Sequence, residues 1–204
     1  MDILQAILTR RSVRGYEKRK VPKAKITKII EAAALAPSSK NSQPWKFHVV
    51  ENREMIKKIG LILENSKNTH DEPSDPKTGK VREGYAPSVT ASGVIIEKAP
   101  LVIFVENTCP FSHNRAEVIK SKYKNAIKGH DSEMLSLGAC LQNICLASYA
   151  LDLGTVIIAD VVCEETILKK LLGIKGDLVA ALPIGYPAYH PKPRKAELDC
   201  THYI

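Results

Sequence analysis

The chain has 204 residues, of which 44% are hydrophobic and 25% charged, and its formal net charge is +8. This composition excludes a disordered or fibrous chain and fits one globular domain over residues 1–204, with a core that needs no disulfides. Five cysteines without CxxC spacing argue against a zinc ribbon or a secreted disulfide framework. No apolar stretch reaches membrane-spanning length, so we expect a cytoplasmic protein without a membrane partner.

The first half of the chain predicts mainly helices. In chain order, hydrophobic spacing indicates a helix ending near Gly15, a helix between Pro22 and Pro37, a strand at 45–50 and a helix at 55–63. The polar loop 37–44 is bracketed by prolines and leads directly into the strand. Residues 65–87 are polar and rich in Pro, Gly and Lys, and they predict an excursion that shapes substrate access.

The second half of the chain alternates helices with strands. The expected elements are a helix at 89–98, a strand at 101–106, a segment without a clear preference at 114–128, a helix at 131–153, a strand at 155–161, a helix at 164–172 and a strand at 178–184. The long connection over 55–87 does not suit a regularly wound sheet. We therefore expect an α+β fold with a mixed sheet against helices, and an extended tail from about residue 186.

The helix at 131–153 carries apolar residues around nearly its whole circumference. Asp131 or Ser132 can cap its start, and Gly154 can close its end. At about 1.5 Å per residue it would be roughly 35 Å long, about the diameter of a small domain. Such a helix must be buried, either by a second subunit or by the sheet and helices of its own chain.

The sequence lacks self-sufficient catalytic motifs. It contains no HExxH, GxSxG, Walker or GxGxxG pattern, and its six histidines are scattered without metal-ligand spacing. Metal catalysis is therefore not expected. If the protein is an enzyme, a bound organic cofactor would bring the reactivity, and the protein would bind and orient it.

Three polar clusters are candidates for binding an anionic cofactor. Arg10-Arg11-Ser12-Val13-Arg14 can surround a phosphate, although cations at a helix end can also simply complement the helix dipole. Lys192-Pro193-Arg194-Lys195 can add to the same site or be a solvated tail. The loop 37–44 offers the mixed donors and acceptors that suit a heterocyclic ring, although serine-rich turns are often only turns.

Four motifs in chain order carry a family resemblance. They are Arg-Arg-Ser-Val-Arg at 10–14, Ala-Pro-Ser-Ser-Lys-Asn-Ser-Gln-Pro-Trp at 36–45, Leu-Asp-Leu-Gly-Thr at 151–155, and Pro-Ile-Gly-Tyr-Pro followed by Pro-Lys-Pro-Arg-Lys at 183–195. Together they resemble the FMN-dependent nitroreductase family over nearly the whole chain. The resemblance implies an intertwined homodimer with a long central helix and with FMN bound between the subunits.

The resemblance also assigns roles to individual residues. It places Arg10, Arg11, Ser12 and Arg14, with Arg194 and either Lys192 or Lys195, around the phosphate and ring edge of FMN. It places Pro37, Ser38, Ser39 and Asn41 of the other subunit on the flavin, and backbone groups of Ile158, Ala159 and Asp160 on its reactive side. Family members often have glycine near Ala159-Asp160, and we expect the Asp160 carboxylate to point away from the ring.

The implied activity is the reduction of nitroaromatics, quinones or similar small-molecule acceptors by two electrons from NADH or NADPH. No side chain is expected to be catalytic, because the flavin N5 would carry the chemistry. A flavin enzyme of the same fold with other chemistry, such as dehalogenation or ring fragmentation, is an alternative. A nucleic-acid or polyanion binder is a more distant one, since aromatic residues are few and are not interleaved with the basic clusters.

Overall fold

The computed structural model describes residues 2–68, 87–120, 124–192, 194 and 202. Residues 69–86 of the expected excursion at 65–87 lie outside the described residues, as does Lys195 of the tail. The described helices are α1 (Ile3–Thr9), α2 (Lys23–Ala34), α3 (Arg53–Glu64), α4 (Ser88–Lys98), α5 (Arg115–Lys120), α6 (Lys124–Ala150) and α7 (Glu165–Leu172). The strands are β1 (Trp45–Val50), β2 (Leu101–Asn107), β3 (Gly154–Thr155) and β4 (Asp177–Gly185).

The four strands form one sheet in the order β1-β2-β4-β3. All three neighbouring pairs are antiparallel, so the expectation of a mixed sheet is wrong for the described strands. Within the described ranges, parallel pairing is limited to one isolated bridge, between Ser12 and Thr155. The α+β class is confirmed, with helices on both faces of the sheet.

Strand β2 shows why the sheet is covered on both faces. Alternate side chains point to opposite faces of a strand. Ile103 packs with residues of α2 and α6, whereas Phe104 packs with residues of α3, α4 and α7. Both side chains are fully buried. Burial on both faces explains why residues 101–105 of β2 are all apolar.

Helix α6 is the long helix expected from the sequence, but it starts earlier. It has 27 residues, about 40 Å of helix, and Asp131 lies inside it rather than capping it. One face packs on α2 and the sheet through residues such as Leu137 and Ile144. The opposite face is left open by the described part of the chain, since Leu135 is 77% exposed and a Cβ placed on Gly138 would meet no atom within 4 Å.

Candidate functional site

A cavity of about 270 Å³ lies where the two ends of the described chain meet. Cationic side chains from both ends dominate its lining, which consists of Arg10, Arg11, Ser12, Arg14, Pro191, Lys192 and Arg194. Among the residues that the structure describes, no carboxylate lines this cavity. The two basic clusters of the sequence, more than 170 residues apart, therefore share one site.

The first basic cluster is extended rather than helical. Helix α1 ends at Thr9, and Arg10 already has φ −54° and ψ 137°. The expectation that the first helix reaches Gly15 is therefore wrong, and Arg10 and Arg14 do not share a helical face. The cause is a tertiary contact: the Val13 N–H donates to the Thr155 carbonyl at 3.1 Å, which draws the segment along the edge strand β3.

Gly154 allows this segment to approach β3. A Cβ at position 154 would lie 2.6 Å from Cβ of the buried Val13, which is closer than side chains tolerate. The Leu-Asp-Leu-Gly-Thr motif thus has a packing reason for its glycine at the end of the long helix. Gly154 positions the arginine cluster without touching the cavity.

The C-terminal cluster is attached to the same segment by backbone hydrogen bonds. After β4, the chain runs antiparallel to residues 15–17, with Glu17 N–H donating to Tyr186 O at 2.9 Å and Ala188 N–H donating to Gly15 O at 3.0 Å. Further along the tail, the Arg11 guanidinium donates to the Arg194 carbonyl at 3.1 Å. This arrangement directs Lys192 and Arg194 to the cavity.

Tyr189 belongs to this arrangement, although the sequence analysis did not single it out. Its hydroxyl accepts a hydrogen bond from the Arg14 N–H at 3.4 Å, and its ring lies against Gly15, where an added Cβ would be 3.0 Å away. The sequence contains only an indirect signal for it: an aromatic residue in the tail, and a glycine directly after the arginine cluster against which an aromatic ring can pack.

The chemistry of the cavity fits a phosphate group. Guanidinium and ammonium groups donate hydrogen bonds and keep a positive charge at neutral pH, and the Ser12 hydroxyl adds a neutral donor. Arg11 is partly committed elsewhere, because it also donates to its neighbour's carbonyl, Arg10 O, at 2.6 Å. Arg11 therefore fixes the tail and its own segment while keeping its charge, and Arg10, Arg14, Lys192 and Arg194 add four further positive charges to the lining.

The loop 37–44 lies elsewhere on the described chain, since none of its residues lines this cavity. A short 3₁₀ turn at Ser39–Asn41 is fixed to α6 by the Ser39 N–H, which donates to Ser136 Oγ at 3.3 Å. Ser38 Oγ accepts from the Gln43 N–H at 3.0 Å. Pro37, Ser38, Ser39 and Asn41 are thus gathered in one rigid loop, but the described chain does not bring them to the basic cluster.

Residues 158–160 follow β3 along the chain, and their placement beside a flavin stays a prediction. The Ile158 N–H and carbonyl both pair with Ala181, each at 2.9 Å, so these two backbone groups are hydrogen-bonded to β4. Ala159 is exposed. The Asp160 carboxylate accepts hydrogen bonds from Ser88 Oγ at 2.8 Å and Ser92 Oγ at 2.5 Å, which turn it toward α4.

Two further features of the described residues concern metal binding and membrane insertion. Within the described ranges, no group of three or more His, Cys, Asp or Glu side chains is arranged to hold a metal ion. None of the described helices combines the length and apolar character needed to cross a bilayer. The cytoplasmic location stays a prediction.

Comparison with known proteins decides the family. The model of the nitroreductase family matches residues 7–186, which is most of the chain. The chain belongs to the nitroreductase family. As a member of that family it is an oxidoreductase, and the cavity described above combines residues near the start of the matched region with tail residues beyond its end.

Similar proteins show the range of names within this family. The chain is 32% identical over 198 residues to a protein of Methanothermobacter thermautotrophicus provisionally named NADH dehydrogenase/NAD(P)H nitroreductase, with 95% of this chain and 82% of that protein covered. It is 28% identical over 190 residues to an iodotyrosine deiodinase of Thermotoga neapolitana, with 91% and 88% covered.

Solved structures support the nitroreductase fold. A provisionally named nitroreductase from Desulfovibrio desulfuricans, crystallised in complex with FMN, matches with a TM-score of 0.67 at 24% identity and covers 98% of this chain and 94% of that one. At this identity the likeness shows the fold alone.

Proposed function

We propose that this nitroreductase-family protein is an FMN-dependent oxidoreductase that uses NADH or NADPH to reduce nitroaromatics, quinones or similar small acceptors by two electrons. The observation that carries the proposal is the cationic cavity formed by both chain ends. Bound FMN would supply the redox chemistry that the side chains lack. The names of the relatives support NAD(P)H as the reductant.

The phosphate of FMN is assigned to Arg10, Arg11, Ser12, Arg14, Lys192 and Arg194. Three of these side chains, Arg10, Arg11 and Ser12, are partly buried, so that water screens their interaction with an anion less than at a flat surface. Hydrogen bonds to the tail hold the segment in place before binding, which reduces the entropy lost when a ligand orders the site. These residues would therefore bind the cofactor and fix its orientation.

The second part of the proposal is a homodimer in which the loop 37–44 of one subunit completes the cofactor site of the other. Apolar side chains left exposed in the described chain support it, because four of them lie on the single short helix α1 and a second subunit would cover such a face. The exposed residues are Ile3, Leu4, Ile7 and Leu8 on α1, Leu35 after α2, and Leu135 on α6. Ala159 would lie beside the flavin, and Asp160 would stay bound to Ser88 and Ser92.

The test begins with the visible absorption of the purified protein and an FMN titration followed by flavin fluorescence. Arg10→Ala and Arg194→Ala should each weaken FMN binding about 10- to 150-fold, the equivalent of about 1.5–3 kcal/mol for a charge-assisted hydrogen bond. Lys57→Ala, which removes an exposed charge from α3, is the matched control. Unchanged FMN affinity in both arginine variants would remove the cavity from the cofactor site.

A second candidate activity is reductive dehalogenation of an aromatic ring. The observation that favours it is the similarity to iodotyrosine deiodinases over about nine-tenths of the chain. The FMN-loaded protein, given NADH or NADPH, should be offered a nitroaromatic and an iodotyrosine in parallel. Loss of the nitro compound's absorbance supports the first activity, whereas release of iodide supports the second.

A further inference from the structure

Lys40 has an unusual backbone conformation for a lysine. Its φ is +52°, in the left-handed region that favours glycine and asparagine, and the next residue, Asn41, has φ +53°. Hydrogen bonds from Asn41 N–H to Ser38 O and from Ser42 N–H to Ser39 O, both 3.0 Å, fix this turn. Backbone strain that is held in place by its surroundings is common at binding sites.

The consequence of this turn is the placement of the Lys40 ammonium over an aromatic ring. Lys40 Nζ lies 5.7 Å from the centroid of the Phe111 ring, which is within the range of a cation–π interaction. Lys40 is exposed, and among the described residues no carboxylate forms an ion pair with it. Its charge is therefore available to a ligand.

Phe111 is held as firmly as Lys40. Its N–H donates to the buried Glu133 carboxylate at 2.7 Å, and its Cβ approaches Gly129 of α6 so closely that an added Cβ there would lie 3.0 Å away. The turn that carries Lys40 is bound to the same helix through Ser136. Cation and ring thus come from two loops that are both fixed to α6.

We propose that Lys40 and Phe111 recognise the electron acceptor, and that the preferred acceptors are aromatic compounds that carry an anionic group such as a carboxylate. The proposal rests on the proposed function, in which the two residues that flank Lys40 in the chain contact the cofactor. These residues are Ser39 and Asn41. A ring beside an ammonium group offers a stacking surface and a charge partner together. A neutral aromatic compound can use only the first of these.

The test compares two ligands of nearly equal shape, benzoate and benzamide, by their perturbation of the visible spectrum of the FMN-loaded protein. Lys40→Gln should weaken benzoate binding about fivefold, as expected for one solvent-exposed ion pair, and leave benzamide binding unchanged. Lys40→Arg should restore benzoate binding. Phe111→Leu should weaken both ligands by a similar factor, because it removes stacking surface and no charge. Lys57→Gln is the control for loss of one exposed lysine.

Steady-state kinetics give a second readout. In Lys40→Gln the KM for 4-nitrobenzoate should rise about fivefold with kcat retained, and the KM for nitrobenzene should not change. Equal effects on both members of either pair, or a loss of FMN affinity in Lys40→Gln, would overturn the inference and leave the proposed function standing. A wild-type protein that binds no FMN would instead refute the proposed function and remove the premise of this inference with it.

Discussion

The buried carboxylate of Glu133 offers a direct test of how the loop after β2 is fixed. Glu133 is only 1% exposed and accepts four hydrogen bonds. The donors are Phe111 N at 2.7 Å, Ser112 N at 3.0 Å, Ser112 Oγ at 2.5 Å and Asn107 Nδ2 at 2.9 Å. Replacing Glu133 with alanine leaves all four donors without their acceptor.

The expected loss of stability follows from these contacts. A buried donor left unpaired costs about 1–3 kcal/mol, and water can reach some of the four, so we expect Glu133→Ala to lower the free energy of unfolding by about 3–5 kcal/mol. Burial raises the pKa of the Glu133 carboxyl, but the hydrogen bonds from Asn107, Ser112 and Phe111 outweigh burial and hold that pKa below its ordinary value. The stabilisation is therefore complete above the ordinary glutamate pKa of about 4.3 and is lost as the pH falls through the lower pKa of the folded state.

Urea unfolding followed by the fluorescence of Trp45 measures both effects. Trp45 is the single tryptophan, is buried, and pairs with Asn107 in the sheet. The stability difference between the wild type and Glu133→Ala should be largest near pH 7 and should shrink below about pH 4. Glu117→Gln, at an exposed position, is the control. A difference that is below 1 kcal/mol, or that does not change with pH, would refute this account of the network.

Three further predictions concern packing, capping and assembly. Gly93→Ala should lower the free energy of unfolding by about 2–4 kcal/mol in the same urea assay, because the new Cβ would lie 2.6 Å from the Gly60 carbonyl oxygen where α3 and α4 cross. Asn52→Ala should cost about 1 kcal/mol, since the Asn52 side chain accepts the hydrogen bond that caps α3. Leu135→Lys should give a monomer in sedimentation and weaken FMN binding if the open face of α6 is the dimer interface, whereas Leu61→Lys, also at an exposed leucine, should do neither.

The sequence predicted the strands and helices of the fold best where their apolar pattern is regular. Strands 45–50 and 178–184 appear within one residue of their expected bounds, because both carry continuous or alternating apolar residues that a sheet buries. The helix at 55–63 was predicted equally well from its apolar spacing. Local periodicity is sufficient where an element buries one regular face.

Prediction failed where tertiary contacts override local preference. The strand expected at 155–161 shrinks to Gly154–Thr155, one bridge at Ile158 and a 3₁₀ turn at Asp160–Glu164. Val156, Ile158 and Val161 are buried as strand residues would be, but after Thr155 the segment pairs with β4 only at Ile158. No spacing rule contains that information.

Electrostatic repulsion within the cationic cavity gives a further test of the role proposed for its residues. Like charges placed around one small cavity repel each other, and in the described chain the four cations Arg10, Arg14, Lys192 and Arg194 have no carboxylate partner that would offset this repulsion. Backbone hydrogen bonds to β3 and to the tail hold them together instead. The repulsion among these cations lowers the stability of the ligand-free protein. An anion that binds in the cavity offsets the repulsion and stabilises the folded state. Removing one of these charges should therefore weaken anion binding without destabilising the ligand-free fold, which separates a binding role from a structural one.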